Sequence, residues 1–423
     1  MSDLRPRPNA WLVVGLLWTV ACLNYLDRTM ITTMRDSIIQ NIPMTEAKFG
    51  LLTSAFAWVY GIVSPFAGFL ADRMRRSVVI VGSLFIWSAI TWLTSRATTF
   101  EELLVARSLM GISEACYIPA ALALIADYHR DSTRSLATGI HMTGTFTGGA
   151  LGGLGGIIAE KQHWNTPFIY FGLFGMCYAL FLIAFLREPT SESKPTGNQP
   201  EATCRPNFFG AIGSLFQTSS FNIALAYWGL LGIAGWAFAG WMPTFLKEHF
   251  DLTQSKSGIL ATSYLQVSAF VGVLAGGFLA DWWSRRSDRG PIVVTSIGLL
   301  IAIPGVLLTA ASSALPLALA GLAIYGFTRS FADANMMPIL CLISDKRYRA
   351  TGYGVLNCAS CLAGGLAVYA GGILRDAQVN VSYLFQFAAF GLAVCAVLLF
   401  FLRPKTRATD LQTAFEVTET EIA

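Results

Sequence analysis

Charge is the scarcest ingredient of this 423-residue chain: Asp, Glu, Lys and Arg together make up 13% of it. A soluble domain carries roughly 25%. The shortfall excludes an ordinary water-soluble fold, and a net charge of only +4 gives no footing for nucleic acid. Histidine is rarer still. His129, His141, His163 and His249 form no metal-ligand spacing, so no metal and no other cofactor is expected. No serine sits in a GxSxG context and no GxxxxGK[ST] loop is present. These absences argue against an enzyme and against a nucleotide-driven pump. Work on a solute must then come from an ion gradient. The eight cysteines are scattered, seven of them in apolar runs. Cys358 and Cys361 in "CASC" have a redox-like spacing without ligand company, and read as small helix-packing residues.

What the chain has is hydrocarbon: 54% hydrophobic residues and a mean hydropathy of +0.55. Apolar segments run at about 11–34, 50–70, 77–95, 102–126, 135–158, 165–186, 221–246, 258–280, 291–311, 315–342, 352–373 and 382–402. Each is long enough to cross a bilayer core about 30 Å thick. Met1 to Asn9 is short and polar, and the run after it is too long for a cleavable signal, so the first helix is expected to direct insertion. Nineteen basic residues fall between alternate segments, from Arg5 to Arg407, against seven on the other side. The positive-inside rule then puts both termini in the cytoplasm. Arg28, Arg107 and Arg329 belong to neither side, because they lie inside the spans.

The stretch Glu188 to Asn207 is polar and rich in Pro, Ser and Thr, and reads as a linker. It divides the chain into residues 1–187, a linker at 188–220, residues 221–402 and a tail at 403–423. The two parts repeat each other. "GFLADRMRR" (Gly68 to Arg76) follows the second span, and "GFLADWWSRR" (Gly277 to Arg286) follows the eighth. This layout resembles the major facilitator superfamily, and Gly68, Asp72, Arg73 and Arg76 resemble its signature loop. The resemblance implies an all-α membrane protein: twelve transmembrane helices in two six-helix bundles, 6+6, with both termini cytoplasmic. It also makes Gly68, Asp72, Arg73, Arg76, Gly277 and Asp281 gating-loop candidates, with Asp72 latching basic residues or helix ends across the seam.

A charge at mid-bilayer costs about 3 kcal/mol on insertion scales, so such residues usually pair or face a wet cavity. The first span holds Asp27 and Arg28; the fourth holds Arg107 and Glu114, seven residues apart and so on one helix face. Together they make an internally neutral set of four. Buried ion pairs stabilise poorly compared with apolar replacements, which favours a working role. A carboxylate that alternates between pairing with Arg and holding a proton can couple a proton gradient to conformational change. The Arg it releases presents a fork to a substrate carboxylate.

"NYLDR" in span one, "WVYG" in span two, "RSLMGISEACYIPA" in span four and "GWMPTFL" at the end of span seven resemble the anion:cation symporter branch of that superfamily. The branch includes sugar-acid transporters (hexuronate, galactonate, glucarate) and the sialin group. The resemblance implies proton-coupled symport of an organic anion in a bacterial inner membrane, by a monomer whose partners are the anion, protons and lipid. It makes Asp27 and Glu114 the proton sites. It makes Arg28, Arg107, Tyr25, Tyr60 and Asn357 the substrate contacts. Span five carries His141, Thr143, Thr145 and Thr147 where the branch often has an amide, and Cys361 stands where it often has a second Asn. "EACYIPAALALIADYHRD" also resembles the spinster lysolipid and sphingolipid transporters, the alternative reading. Further candidates are His141, Thr145, Gln266, and the Arg329–Asp333 pair in span ten, four residues apart on one face. Gly144, Gly148, Gly152 and Gly156 recur every fourth residue and leave one face of span five bare for close packing.

Overall fold

The computed structural model describes residues 9–129, 131–186, 208–344 and 349–403, without the side chains of 68–73, 131–132, 135, 208–209, 211 and 350. Its elements are all helices: α1 (Ala10–Thr33), α2 (Arg35–Asn41), α3 (Glu46–Arg73), α4 (Arg76–Thr94), α5 (Phe100–Ala115), α6 (Tyr117–Tyr128), α7 (Asp131–Leu151), α8 (Gly153–Lys161), α9 (Thr166–Phe185), α10 (Phe208–Phe216), α11 (Ser219–His249), α12 (Gln254–Ser284), α13 (Gly290–Ala311), α14 (Leu315–Ile343), α15 (Arg349–Asp376) and α16 (Val381–Phe401). Hydrocarbon offers backbone N–H and C=O groups no partner, and a helix satisfies them within one segment. Bulky apolar side chains stay exposed along the outside, among them Phe181 and Ile183 of α9, Phe278 of α12 and Phe390 and Phe400 of α16.

Eleven stretches among the described residues are long and apolar enough to span a membrane, one fewer than the twelve expected. The missing one is the expected span at 135–158, which is divided between α7 and α8 at Gly152. A Cβ on Gly152 would stand 1.9 Å from Thr29 Oγ1, and one on Gly148 would stand 2.0 Å from the Cys22 carbonyl oxygen. The bare face of α7 therefore lies directly on α1. Thr33 of α1 donates to the Gly152 carbonyl at 3.0 Å, covering a backbone acceptor at the break. A similar break separates α5 from α6 at Cys116, because Pro119 has no N–H for the Ala115 carbonyl.

The amino-terminal helices α1–α9 meet α11–α16 along three seams: α3 on α15, α7 and α8 on α12, and α1 on α11. The α3–α15 seam runs from Glu46–Gly372 at one end to Pro65–Gly354 at the other. The α7/α8–α12 seam is shorter. It runs from Ser255, whose amide donates to Glu160 at 2.6 Å, to the Phe146–Phe270 ring contact. Beyond that point Gly139 and Gly277 each have open space where a Cβ would sit. The helices are thus joined and closed at the face with few basic residues, and α7 and α12 part toward the Arg-rich face while α3 and α15 stay in contact as far as Pro65–Gly354.

A polar network fastens the closed face. Arg375 of α15 donates to Glu46 of α3 at 3.2 Å and to Glu248 at 2.6 and 2.8 Å. Arg35 pairs with Asp36 and Glu46, and Lys247 of α11 pairs with Asp36 of α2. The Asp376 carboxylate accepts from the backbone of Glu46 and Ala47 at 2.9 Å each, at the positive end of α3. Gln254 of α12 donates to Ser37 Oγ at 2.8 Å.

Candidate functional site

One turn and a half of α1 supplies most of the central polar groups. Asn24, Tyr25, Asp27 and Arg28 fall within five residues, and helical spacing turns Asn24 and Arg28 to one side. That side faces Glu114, in the last turn of α5 just before the break. Glu114 is fully buried, and its Oε2 accepts from Arg28 Nε at 2.7 Å and from Asn24 Nδ2 at 3.0 Å. Its Oε1 has no partner. Arg28 lies over the Tyr60 ring at 4.2 Å, the Tyr25 ring at 4.8 Å and the Phe56 ring at 5.3 Å. One guanidinium nitrogen, Nη2, is unpartnered.

The other two charges of the expected set of four are not an ion pair. Among the described residues Asp27 accepts only from Thr91 of α4, at 3.3 Å, and its Oδ1 is orphaned. Arg107 is buried behind Phe56, 4.6 Å above that ring, with Met110 Sδ at 3.9 Å from Nη1 and no carboxylate in salt-bridge range among the described residues. So Arg28, nearly buried beside Tyr25 and Tyr60, is the arginine that meets Glu114, while Arg107 stands behind the Phe56 ring.

On the carboxy-terminal side, Asn357 of α15 donates to Ser64 Oγ of α3 at 3.3 Å and so ties the long seam. Cys361 lies close to Gly61 on the same seam, where a Cβ would come within 2.6 Å of the cysteine's own. Tyr353 of α15 is 42% exposed, and Tyr60, Tyr25, Asp333 and Cys361 lie within electrostatic reach of it. Arg329 and Asp333 of α14 pair at 2.7 Å. Gln266 of α12 rests on the backbone of Gly149 in the short seam.

Two candidates lie elsewhere. His141 is fully buried edge-on to Tyr117 in the amino-terminal interior, 5.9 Å between rings, and Tyr117 in turn donates to the Leu17 carbonyl at 2.6 Å. Thr145 is buried too, and its hydroxyl returns to its own helix at Met142. Of the gating-loop candidates, the side chains of Gly68, Asp72 and Arg73 lie outside the described residues. Arg76 pairs with Asp127 of α6 and donates to the Ala123 carbonyl at 3.2 Å, both within the amino-terminal helices. Gly277 borders open space and Asp281 is exposed. Asn24, Thr91, Phe56 and Tyr353 are absent from the sequence-based set. Asn24 had a signal, since it stands one turn before Arg28. Thr91 had none beyond a hydroxyl in an apolar span.

Bundled apolar helices long enough to cross a membrane, with paired charges buried among aromatic rings, define a multi-pass membrane protein. The chain belongs to the Major Facilitator Superfamily, whose family model matches residues 17–368 and, again, 270–419. It is similar to the hexuronate transporter of Bacillus subtilis, 24% identical over 93% of this chain and 94% of that one. It is equally similar to the sphingosine-1-phosphate transporter SPNS2 of Xenopus tropicalis, 24% identical over 94% of this chain and 83% of that one. Among solved structures, a bacterial homologue of the human lysosomal transporter spinster, in an inward-facing and occupied conformation, superposes with a TM-score of 0.79. That match covers 94% of this chain and 97% of the other at 23% identity, a likeness of fold. The chain is a transporter and not an enzyme.

Proposed function

We propose that the chain imports an organic anion, such as a sugar acid or small carboxylate, together with protons by alternating access. The observation that carries the reading is the sharing of Glu114 Oε2 between Arg28 and Asn24 at the edge of the cavity. A proton on Glu114 removes the charge that holds Arg28. The guanidinium, already seated among aromatic rings with Nη2 unpartnered, is then free to accept a substrate carboxylate. Substrate and proton thus load opposite members of one pair, and loading one favours loading the other. Asp27 is the second proton site. It has a single hydroxyl donor, and a buried carboxylate with so few partners is satisfied better as the neutral acid. With Asp27 neutral, Arg107 contributes an uncompensated positive charge behind Phe56, which favours an anion in the cavity.

In this reading two six-helix bundles, 1–187 and 221–402, rock about the site, linked through 188–220. The monomer sits in a bacterial inner membrane with both termini cytoplasmic, its Arg-rich face inside and its closed face outside. The relatives that transport hexuronate and galactonate favour the anion. A lysolipid or sphingolipid substrate is the second reading. It is favoured by the SPNS2 relative and by the aromatic lining of Tyr25, Tyr60 and Tyr353, which suits an acyl chain. Uptake by proteoliposomes under an imposed inward proton gradient separates the two. Accumulation of a labelled sugar acid supports symport; movement of labelled lysolipid without acid uptake overturns it.

A further inference from the structure

The carboxy-terminal helices carry a charged cluster of their own. Arg329 Nη1 meets Asp333 Oδ2 at 2.7 Å, one turn apart on α14. The guanidinium lies against Gly235 of α11, where an added Cβ would come within 3.1 Å of Nη2. Tyr227 of α11 and Tyr325 of α14 flank the pair, each within electrostatic reach of both its members. Both tyrosines are fully buried, and neither hydroxyl has a partner; Arg329 Nε has none either. Buried orphan polar atoms cost stability and are few in native interiors. Three of them around one ion pair mark a place that a polar guest completes. The pair is not sealed off, since 23% of the Arg329 side chain and 35% of the Asp333 side chain are accessible. Tyr25, the residue whose ring lies under Arg28, is within electrostatic reach of both members of the pair.

We infer that Arg329, Asp333, Tyr227 and Tyr325 form a second subsite, which takes the hydroxyl-bearing tail of the anion whose carboxylate Arg28 receives. A carboxylate beside a guanidinium offers an acceptor next to a donor. A vicinal diol matches that pattern: one O–H donates to Asp333 while the neighbouring oxygen accepts from Arg329 Nε. The tyrosine hydroxyls supply either role to the next carbon. The ion pair is neutral as a unit, so it gives a second anionic group no advantage. The inference rests on the anion reading of the Arg28 site and adds what selects among anions. A polyhydroxylated carboxylate is preferred to a plain alkanoate of equal length.

The test compares D-gluconate with hexanoate, which match in chain length and charge and differ in hydroxyls. Binding to the purified full chain is measured by calorimetry for the wild type, Asp333→Asn, Tyr325→Phe and Arg28→Ala. The wild type is expected to hold gluconate at least about tenfold tighter than hexanoate. Asp333→Asn and Tyr325→Phe should each cut gluconate affinity by about tenfold and leave hexanoate unchanged. Tyr325→Phe removes one oxygen and no carbon, so it reports even where the charge variant misfolds. Gluconate binding that is lost in Arg28→Ala but intact in both subsite variants overturns the subsite and leaves the anion reading standing. Equal losses for both acids in the subsite variants also overturn it. A wild type that binds neither acid overturns both.

Discussion

Arg28 and Asn24 donate to one and the same oxygen of Glu114, at 2.7 and 3.0 Å, while the other oxygen of that carboxylate is left bare. A carboxylate held for structure alone would have both oxygens covered. In the proposed symport, the bare oxygen takes the proton and Arg28 is the group that responds to it. Glu114→Gln mimics the protonated state permanently. The variant is expected to bind substrate and exchange it across the membrane, yet fail to accumulate it against its gradient. Counterflow and gradient-driven uptake in proteoliposomes check this. Uphill accumulation at the wild-type level would remove Glu114 from the coupling path.

Arg28 makes its contacts by shape as well as charge, lying over the Tyr60 ring at 4.2 Å with Nε toward Glu114 and Nη2 left unpartnered. Lysine keeps the charge but neither the plane nor the paired donors. Arg28→Lys should therefore lose most of what Arg28→Ala loses, a tenfold or greater drop in anion affinity, equivalent to about 1.5–3 kcal/mol for a hydrogen bond to a charged group. Titration calorimetry of both variants decides it. Near-wild-type binding by the lysine variant would mean that the site reads charge only.

Much of this fold is legible in the sequence because membrane burial writes itself in long apolar runs, and the three arginines left over from the topology count led to the central charges. Two things were hidden. The break at Gly152 was masked because the same glycine spacing that serves close packing on α1 also frees backbone carbonyls, and Thr33 covers one from a different helix. The partition of the charges was hidden as well. Spacing puts Arg107 and Glu114 on one face, but the Phe56 ring stands against Arg107, and it is Arg28 that reaches Glu114. Which charge meets which is set by an aromatic residue two helices away in the chain from either arginine, and no local pattern carries that.

The contact between α1 and α7 tolerates no side chain at Gly148, where a Cβ would stand 2.0 Å from the Cys22 carbonyl oxygen. Backbone on that side cannot rotate away as a side chain can. Gly148→Ala should push α7 off α1, cost roughly 1–3 kcal/mol as overpacking does, and lower the melting temperature by a few degrees. The control is Gly139→Ala on the same helix, where a Cβ meets open space. It is expected to be neutral or slightly stabilising, because alanine is the better helix former. Equal melting temperatures for the two variants would show that the seam is slack.

The closed face is held by groups that cross from the amino-terminal to the carboxy-terminal helices: Arg375 to Glu46, Lys247 to Asp36, and Asp376 to the start of α3. Each is partly exposed, so each contributes at most about 1 kcal/mol. Together they supply roughly 2 kcal/mol, or about thirtyfold in the equilibrium between closed and open forms of that face. Removing Lys247 and Arg375 together should tilt the protein toward the open form without touching the substrate site. Ser257 of α12 is buried at this seam, and a Ser257→Cys reporter reads the change as maleimide labelling from the outer side. The labelling rate is expected to rise at least tenfold in the Lys247→Ala, Arg375→Ala background, over the rate of the same reporter with the network intact. Labelling that stays unchanged when the network is cut would mean that the apolar seam alone, chiefly Gly50 and Gly372 against the opposing backbones, keeps this face shut.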